Sequence, residues 1–157
     1  MIELIIFPQR GIGPFVLGSS REDVIRMVGA PDSIELAQPL LQNDRKEDWH
    51  FSRFSITLSF AEDDDWKLAS LTAKANNCVL NGVRFIGQPV SKIQELCVFA
   101  GITDLVADGD YDEFGAAYSS KAFTLMFWIA ESHIFNITVF PEYDNSGSAP
   151  HWPHVER

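Results

Sequence analysis

The stretch Phe54-Ser55-Ile56-Thr57-Leu58-Ser59-Phe60, FSITLSF, alternates apolar or aromatic side chains with hydroxyl side chains along its whole length. A period of two is typical of a β-strand that buries one face and exposes the other. The acidic run Glu62 to Asp65 separates this stretch from a second apolar one, Leu68 to Ala73. Together the two stretches predict an antiparallel hairpin with an acidic turn.

A short helix is predicted upstream of this hairpin. Ser19 and Glu22 have the Ser-x-x-Glu spacing of a capping box. The apolar residues that follow at helical spacing are Val24, Met27 and Val28. Gly29, followed by Pro31, predicts the end of the helix, because glycine favours the C-terminal cap and proline cannot continue a helix.

Residues 13–20, GPFVLGSS, come close to the sequence of a phosphate-binding loop. Such a loop needs a lysine directly after its second glycine, and small residues that let backbone N–H groups surround a phosphate. Here Ser19 stands in the position of the lysine, and the bulky residues Phe15-Val16-Leu17 stand between the glycines. We therefore expect an apolar segment that leads into the helix, and no nucleotide site.

The second half of the chain repeats this order of features. Val83 to Pro89 leads into a second helix that Gly101 closes, and its apolar residues are Ile93, Leu96 and Cys97. A second hairpin is predicted from Phe123–Trp128 and Ile134–Phe140. The fold class predicted from this recurrence is α+β, with two tandem helix-plus-antiparallel-hairpin repeats whose helices pack on one face of an antiparallel sheet. Residues 1–76 would form the first repeat with an N-terminal strand, residues 77–140 the second, and residues 141–157 a C-terminal extension.

The segment Leu17 to Pro31, a glycine-led helix ending in Gly-x-Pro, precedes strands of the form aromatic-x-x-x-apolar-x-apolar-x-Phe. This combination resembles the β-lactamase-inhibitor-protein-like fold, which is shared with the small lipoprotein of the outer-membrane barrel assembly machinery. The resemblance implies two repeats over residues 11–140 and an open sheet face that binds proteins. The inhibitors carry disulfides within their repeats and the lipoprotein carries a lipidated cysteine, so neither specific role is expected to transfer. An immunity protein of a bacterial toxin system fits the design by analogy of fold.

Composition limits the partners and the compartment. The 157 residues carry a formal net charge of -10, which disfavours nucleic acid and anionic lipid and favours a basic protein partner. The sequence contains no run of 18 or more apolar residues, so no membrane span is predicted. The opening residues predict a first strand and no secretory signal. Cys78 and Cys97 lie in apolar surroundings, which indicates reduced thiols in a cytoplasmic protein.

A partner-binding surface is predicted from the alternation of the strands. Phe54, Ile56, Leu58 and Phe60, with their counterparts in the second hairpin, are assigned to the face under the helices. The opposite face is then expected to carry hydroxyl groups and a set of larger side chains that could anchor a partner. This set is Trp49, Phe51, Arg53, Met126 and Trp128. The alternative is that the tail from Pro141, or a second copy of the chain in a homodimer, covers these rings.

The sequence contains no complete catalytic or metal-binding motif. Asp108 to Asp112 has carboxylates at alternate positions, as in a calcium loop, but Glu113 replaces the turn glycine and Ser119 replaces the bidentate glutamate. The histidines, His50, His133, His151 and His154, have neither the spacing nor the neighbours of a catalytic or zinc site. No cofactor, metal or catalytic residue is predicted.

The function expected from the sequence is that of a non-enzymatic protein-binding module, inhibitory or immunity-like in kind, which uses the outward face of its sheet. The alternative is a small-molecule-binding protein or minor enzyme with a pocket between the repeats.

Overall fold

The computed structural model describes residues 3–37, 45–112, 115–143 and 150–153. Its helices are α1 (Arg21–Val28) and α2 (Ile93–Ala100), and single 3-10 turns lie at Glu62–Asp64 and Val90–Lys92. Its strands are β1 (Leu4–Phe7), β2 (Gly11–Ile12), β3 (Phe15–Val16), β4 (Ser33–Ala37), β5 (Lys46–Phe51), β6 (Ile56–Ala61), β7 (Leu68–Ala73), β8 (Cys78–Val79), β9 (Val106–Asp112), β10 (Gly115–Ser120), β11 (Leu125–Ala130), β12 (His133–Val139), β13 (Glu142–Tyr143) and β14 (Pro150–His151).

Eight strands form one antiparallel sheet in the order β4-β5-β6-β7-β12-β11-β10-β9. Each half of this sheet is a four-stranded meander in which neighbouring strands follow one another along the chain. The two meanders join at the centre, where β12 pairs with β7 and places Thr138 opposite Thr72. The sheet is therefore continuous between the two halves of the chain.

A smaller sheet has the order β3-β2-β1-β8, with β8 parallel to β1. One hydrophobic cluster joins residues of both sheets and both helices. Aromatic pairs fill its ends, with ring centroids 4.8 Å apart for Trp49 and Phe60 and 4.8 Å apart for Phe85 and Phe127. The core thus lies on one face of the eight-stranded sheet, and the other face stays outside it.

The predicted fold class is wrong. The described chain is mostly antiparallel sheet with only two short α-helices, and it is not two helix-plus-hairpin repeats with helices packed on a sheet. The two predicted hairpins exist as β6–β7 and β11–β12, but they are the inner strands of larger meanders. The outer strands lack the apolar alternation on which the prediction depended. All five residues of β4 are exposed, and β9 contains the Asp-Gly-Asp sequence that β-strands disfavour.

The helix α1 begins one residue later than predicted. Ser20, not Ser19, is the N-cap: its hydroxyl accepts the backbone N–H of Asp23, and the Asp23 carboxylate accepts the backbone N–H of Ser20. Ser19 is buried, and its carbonyl accepts the N–H of Leu68 at the start of β7. The predicted ends are correct, since Gly29 caps α1 and Gly101 caps α2 with a left-handed φ of 84°.

Residues 13–20 are structural, as the sequence indicates. Phe15 and Leu17 are fully buried, and the ring centroid of Phe15 lies 5.6 Å from that of Phe51. Gly18 has a φ of 88°, and a side chain there would meet the Cβ of Trp152 at 3.1 Å and its ring at 3.2 Å. The second glycine of the stretch therefore serves a left-handed turn and the docking of residues 150–153, while the apolar interior belongs to the core.

Candidate functional site

A row of mainly polar side chains crosses the outward face of the eight-stranded sheet. Cross-strand partners place Ser33, His50, Thr57, Thr72, Thr138, Met126 and Ser119 in this row. The hydroxyl oxygens of Thr72 and Thr138 lie 2.9 Å apart, which links the two meanders by a hydrogen bond. Because these hydroxyl groups satisfy one another, they hold the face in a fixed arrangement without the need for a ligand.

Trp128 and Met126 lie on this outward face, as predicted. Trp128 is 38% exposed, and its indole N–H donates to the Thr138 hydroxyl at 2.9 Å. Met126 is half-buried and stands directly opposite Thr138. The indole ring is therefore held in one orientation while part of its surface remains available for contact.

The predicted orientation of Trp49 and Phe51 is wrong. These side chains are only 3% and 2% exposed and belong to the hydrophobic core. Trp49 pairs with Leu58 across β5 and β6, and paired residues of an antiparallel ladder point to the same face. Four residues separate Phe51 from its partner Ile56, so odd-numbered residues of β5 face the same side as even-numbered residues of β6. The prediction had carried sequence parity unchanged through this turn.

Arg53 lies in that turn, away from the outward face. Its guanidinium group donates to the carbonyl of Val28 and lies 4.6 Å from the ring centroid of Phe54. A cation at the last carbonyls of a helix is favourable because those groups carry partial negative charge. Arg53 therefore joins the turn to the end of α1. Of the five predicted anchors, Met126 and Trp128 share the outward face and the other three do not.

A concavity lies on the outward face beside Met126. Its volume is about 550 Å³, and its wall is mainly apolar. The lining residues are Asp104, Val106, Ser119, Ser120, Lys121, Thr124, Leu125, Met126, Phe140, Pro141 and Tyr143. We call it the apolar concavity. It is lined by residues 104–143 alone, so it does not lie between the two halves of the chain.

A smaller concavity of about 260 Å³ adjoins it in the first meander. Phe140 and Tyr143 line both concavities, so the two adjoin at the centre of the sheet, and we call the pair the groove. The second part, which we call the charged concavity, contains Lys46, Asp48 and Asp64. The groove is thus apolar at one end and charged at the other.

Electrostatics distinguish the two aspartates of the charged concavity. The Asp48 carboxylate accepts the Ser59 hydroxyl at 2.7 Å. Burial, followed by repulsion from Asp63, raises the pKa of Asp64, although Lys46 acts in the opposite direction. Burial, followed by the charge of Asp64, also raises the pKa of Tyr143. Burial is thus the first cause of both pKa shifts, and the charges of neighbouring aspartates add to it.

Sequence reasoning missed Phe140, Pro141 and Tyr143. It assigned the residues from Pro141 onward to a surface extension, whereas Glu142–Tyr143 pairs with Pro150–His151 and Tyr143 lies over the groove. The alternation of β12 could have placed Phe140 outward, because Val139 is buried and the next side chain points to the opposite face. No sequence signal marks Tyr143.

His50 lies between a hydroxyl group and a carboxylate. Its Nδ1 is 2.9 Å from the Thr57 hydroxyl, and its Nε2 is 3.3 Å from the Glu35 carboxylate without the geometry of a hydrogen bond. The order hydroxyl, imidazole, carboxylate is that of a nucleophilic triad, but Thr57 is buried within the sheet and only 8% exposed. A substrate carbonyl has little access to the Thr57 hydroxyl. We therefore assign no catalytic role to Thr57, His50 and Glu35.

Metal-binding and thiol chemistry find little support among the described side chains. No group of three or more His, Cys, Asp or Glu residues that could hold a metal ion occurs in that part of the chain. The side chains of Asp108 to Asp112 and the residues Glu113 and His154 lie outside the described set. Cys78 and Cys97 are buried free thiols, and burial raises the pKa of each to about 11, which keeps them protonated.

Comparison with known proteins gives no match: no family model fits the chain, and no curated protein or solved structure is similar to it. Among the described residues no helix has the length and apolar character needed to cross a bilayer.

Proposed function

We propose that this chain is a non-enzymatic protein-binding module that contacts its partner through the outward face of the eight-stranded sheet. The observation that supports this most directly is the apolar concavity beside Met126, which opens on the same face as the exposed ring of Trp128. Aromatic and methionine side chains at a depression in a polar surface are typical of the anchors of protein interfaces.

Rigidity of this face supports the same function. The indole N–H of Trp128 is held by Thr138, and Thr138 is held by Thr72, so the ring loses little conformational freedom when it is covered. A cytoplasmic location and a role in inhibition or immunity belong to the same proposal. The buried, protonated thiols of Cys78 and Cys97 are compatible with a reducing compartment.

The experiment compares proteins captured from an extract of the producing cells by the wild-type chain and by the Met126→Lys and Trp128→Ala variants. Phe99→Ala is the matched control, because Phe99 is an exposed aromatic residue on α2 and lies outside the groove. We expect the same specific proteins with wild type and Phe99→Ala, and their loss with Met126→Lys. Equal capture by all four proteins, with unchanged folding by circular dichroism, would contradict the proposal.

A second candidate function is the binding of a small apolar molecule in the apolar concavity. Its volume of about 550 Å³ falls within the range of ligand pockets, roughly 300–1,000 Å³. A thermal-shift screen with a library of small aromatic and aliphatic compounds tests it. A compound that stabilises wild type and Phe99→Ala, but not Met126→Lys, would favour this function over protein binding.

A further inference from the structure

We propose that the partner presents a cationic side chain next to an apolar one, the apolar group entering the apolar concavity and the cation lying against Asp64 in the charged concavity. This inference rests on the proposed function and adds the chemistry of the partner.

Adjacency of the two concavities supports the first step. Tyr143 and Phe140 line both concavities, so a single extended segment can occupy the two ends at once. Side chains two residues apart on an extended segment point the same way and stand roughly 6.5–7 Å apart. An apolar and a basic residue at such positions would match the order of the two ends.

Charge at the second end carries the next step. Asp48 is satisfied by Ser59, and at the apolar end Asp104 is satisfied by Ser120 and by the backbone N–H of Ala122. Asp64 differs, because no salt bridge or side-chain hydrogen bond joins it to another described residue. Asp63 and Asp65 repel its charge, and the attraction of Lys46 in the same concavity does not outweigh burial and this repulsion. A cation placed beside Asp64 would relieve this repulsion in a partly dehydrated site.

The same charges argue against occupation by this chain itself. A second copy also carries a formal charge of -10, so two copies that approach each other would repel. The segments outside the described residues contain a single lysine or arginine, Arg157, at the end of the chain. A different, basic partner is therefore the occupant that the chemistry favours.

A library of random 12-residue peptides displayed on phage provides the probe. We expect selection on the purified protein to enrich peptides with lysine or arginine two positions from a large apolar residue. The affinity of a synthetic enriched peptide is then measured by fluorescence anisotropy. Asp64→Asn should weaken binding by about tenfold and reduce its salt dependence. Met126→Lys should weaken it by at least about as much, since it places a charge in the apolar concavity.

The control variant is Glu95→Gln, which makes the same change of charge at an exposed position on α2. It should leave the affinity unchanged within about twofold. Enriched peptides that lack basic residues, or an affinity that Asp64→Asn does not alter, would overturn the inference that the partner is cationic. A loss of binding with Met126→Lys would still support the proposed function in that case. Peptides that bind every variant equally would overturn both. Failure to enrich any peptide would overturn this inference alone, because extract capture decides the other.

Self-association is a further outcome of the same test. Sedimentation at several protein concentrations should give a monomer for wild type. A dimer that Met126→Lys dissociates would assign the groove to a second copy and overturn the proposal.

Discussion

The carboxylate of Asp104 accepts the hydroxyl of Ser120 at 2.6 Å and so ties the segment after α2 to the turn that leads into β11. Its second oxygen accepts the N–H of Ala122 at 2.8 Å. Asp32 does the same in the first half of the chain, where it accepts both the hydroxyl and the backbone N–H of Ser52. In each half, an aspartate three residues after the glycine cap of the helix fixes the turn between the second and third strands of the meander.

The tie at Asp104 predicts a loss of stability in acid. The hydroxyl of Ser120 and the N–H of Ala122 lower the pKa of Asp104 below its ordinary value of 3.8. For a lowered pKa, the stabilisation is complete above the unfolded-state value and disappears as the pH falls through the folded-state value. Asp104→Asn should therefore lower the free energy of unfolding at pH 7 by on the order of 1 kcal/mol.

Urea denaturation of wild type and Asp104→Asn at pH 7 and at pH 2.5 measures this effect. The difference between the two proteins should shrink at the lower pH. A difference of the same size at both pH values would show that the carboxylate charge plays no part.

Trp49→Ala and Trp128→Ala should differ in their effect on stability. Trp49 is buried against Phe60, so its truncation should cost about 3–5 kcal/mol, the usual range for a large aromatic residue in a core. Trp128→Ala removes a half-exposed ring and one hydrogen bond, and should cost about 1 kcal/mol. Chemical denaturation measures both values, and comparable losses would contradict the burial of Trp49.

Gly18→Ala should destabilise the protein through two effects. The φ of 88° is unfavourable for alanine, and the new methyl group would press on the Cβ of Trp152 at 3.1 Å and on its ring at 3.2 Å. Gly87→Ala is the matched control, because Gly87 has a φ of 93° with open space around it. We expect a larger loss of unfolding free energy for Gly18→Ala, and equal losses when both changes are made in a Trp152→Gly background, which removes the Cβ as well as the ring. A difference that persists there would exclude the contact with Trp152 as its cause.

Ser20→Ala and Ser19→Ala separate the two possible caps of α1. Loss of the Ser20 hydroxyl leaves the N–H of Asp23 without its cap and should cost about 1 kcal/mol, the typical value for an N-cap serine. Ser19→Ala should have a clearly smaller effect, because the contact of Ser19 with Leu68 uses its backbone carbonyl. Thermal denaturation at pH 7 is sufficient, and the reverse ranking would restore the cap predicted from the sequence.

Asp64→Asn should stabilise the unbound protein. Burial and the neighbouring charges raise the pKa of Asp64 above 3.8, so the ionised form is disfavoured in the folded state. For a raised pKa, the stabilisation by the protonated form is complete below the unfolded-state value and is lost as the pH rises through the folded-state value. Removal of the charge should therefore raise the unfolding free energy at pH 7 by about 0.5 kcal/mol at most, because the site is partly solvated. No gain at pH 7, or one that persists at pH 3, would contradict the raised pKa.

The sequence predicted the inner hairpins correctly because apolar and polar residues alternate along their strands as buried and outward-facing positions do. Ile56, Leu58 and Phe60 face the core, and Thr57 faces outward, as expected. Outer strands such as β4, whose residues are all exposed, have no buried face that an alternation of apolar and polar residues would mark. Orientation failed at Trp49 because parity across a turn depends on loop length and pairing register, which a single sequence does not state.

The groove could be predicted only in part. Met126 and Trp128 follow from the alternation of β11, whose partner β12 preserves sequence parity through pairs such as Met126 with Thr138. The position of Tyr143 depends on how the chain turns after β12, and Asp64 appeared only as one member of an acidic turn. Asp64 differs from Asp48 because the Asp48 carboxylate accepts a hydrogen bond from Ser59 on the neighbouring strand. Such a partner from another strand cannot be identified from the sequence.

The central pairing of β7 with β12 also has a kinetic consequence. Thr72 and Thr138 are 66 residues apart in the chain, whereas the other neighbours in each meander are close in sequence. Closure of so long a loop costs conformational entropy before the contact between β7 and β12 can stabilise the chain. We therefore expect each meander to begin forming independently and the seam between them to close last, in the rate-limiting step of folding.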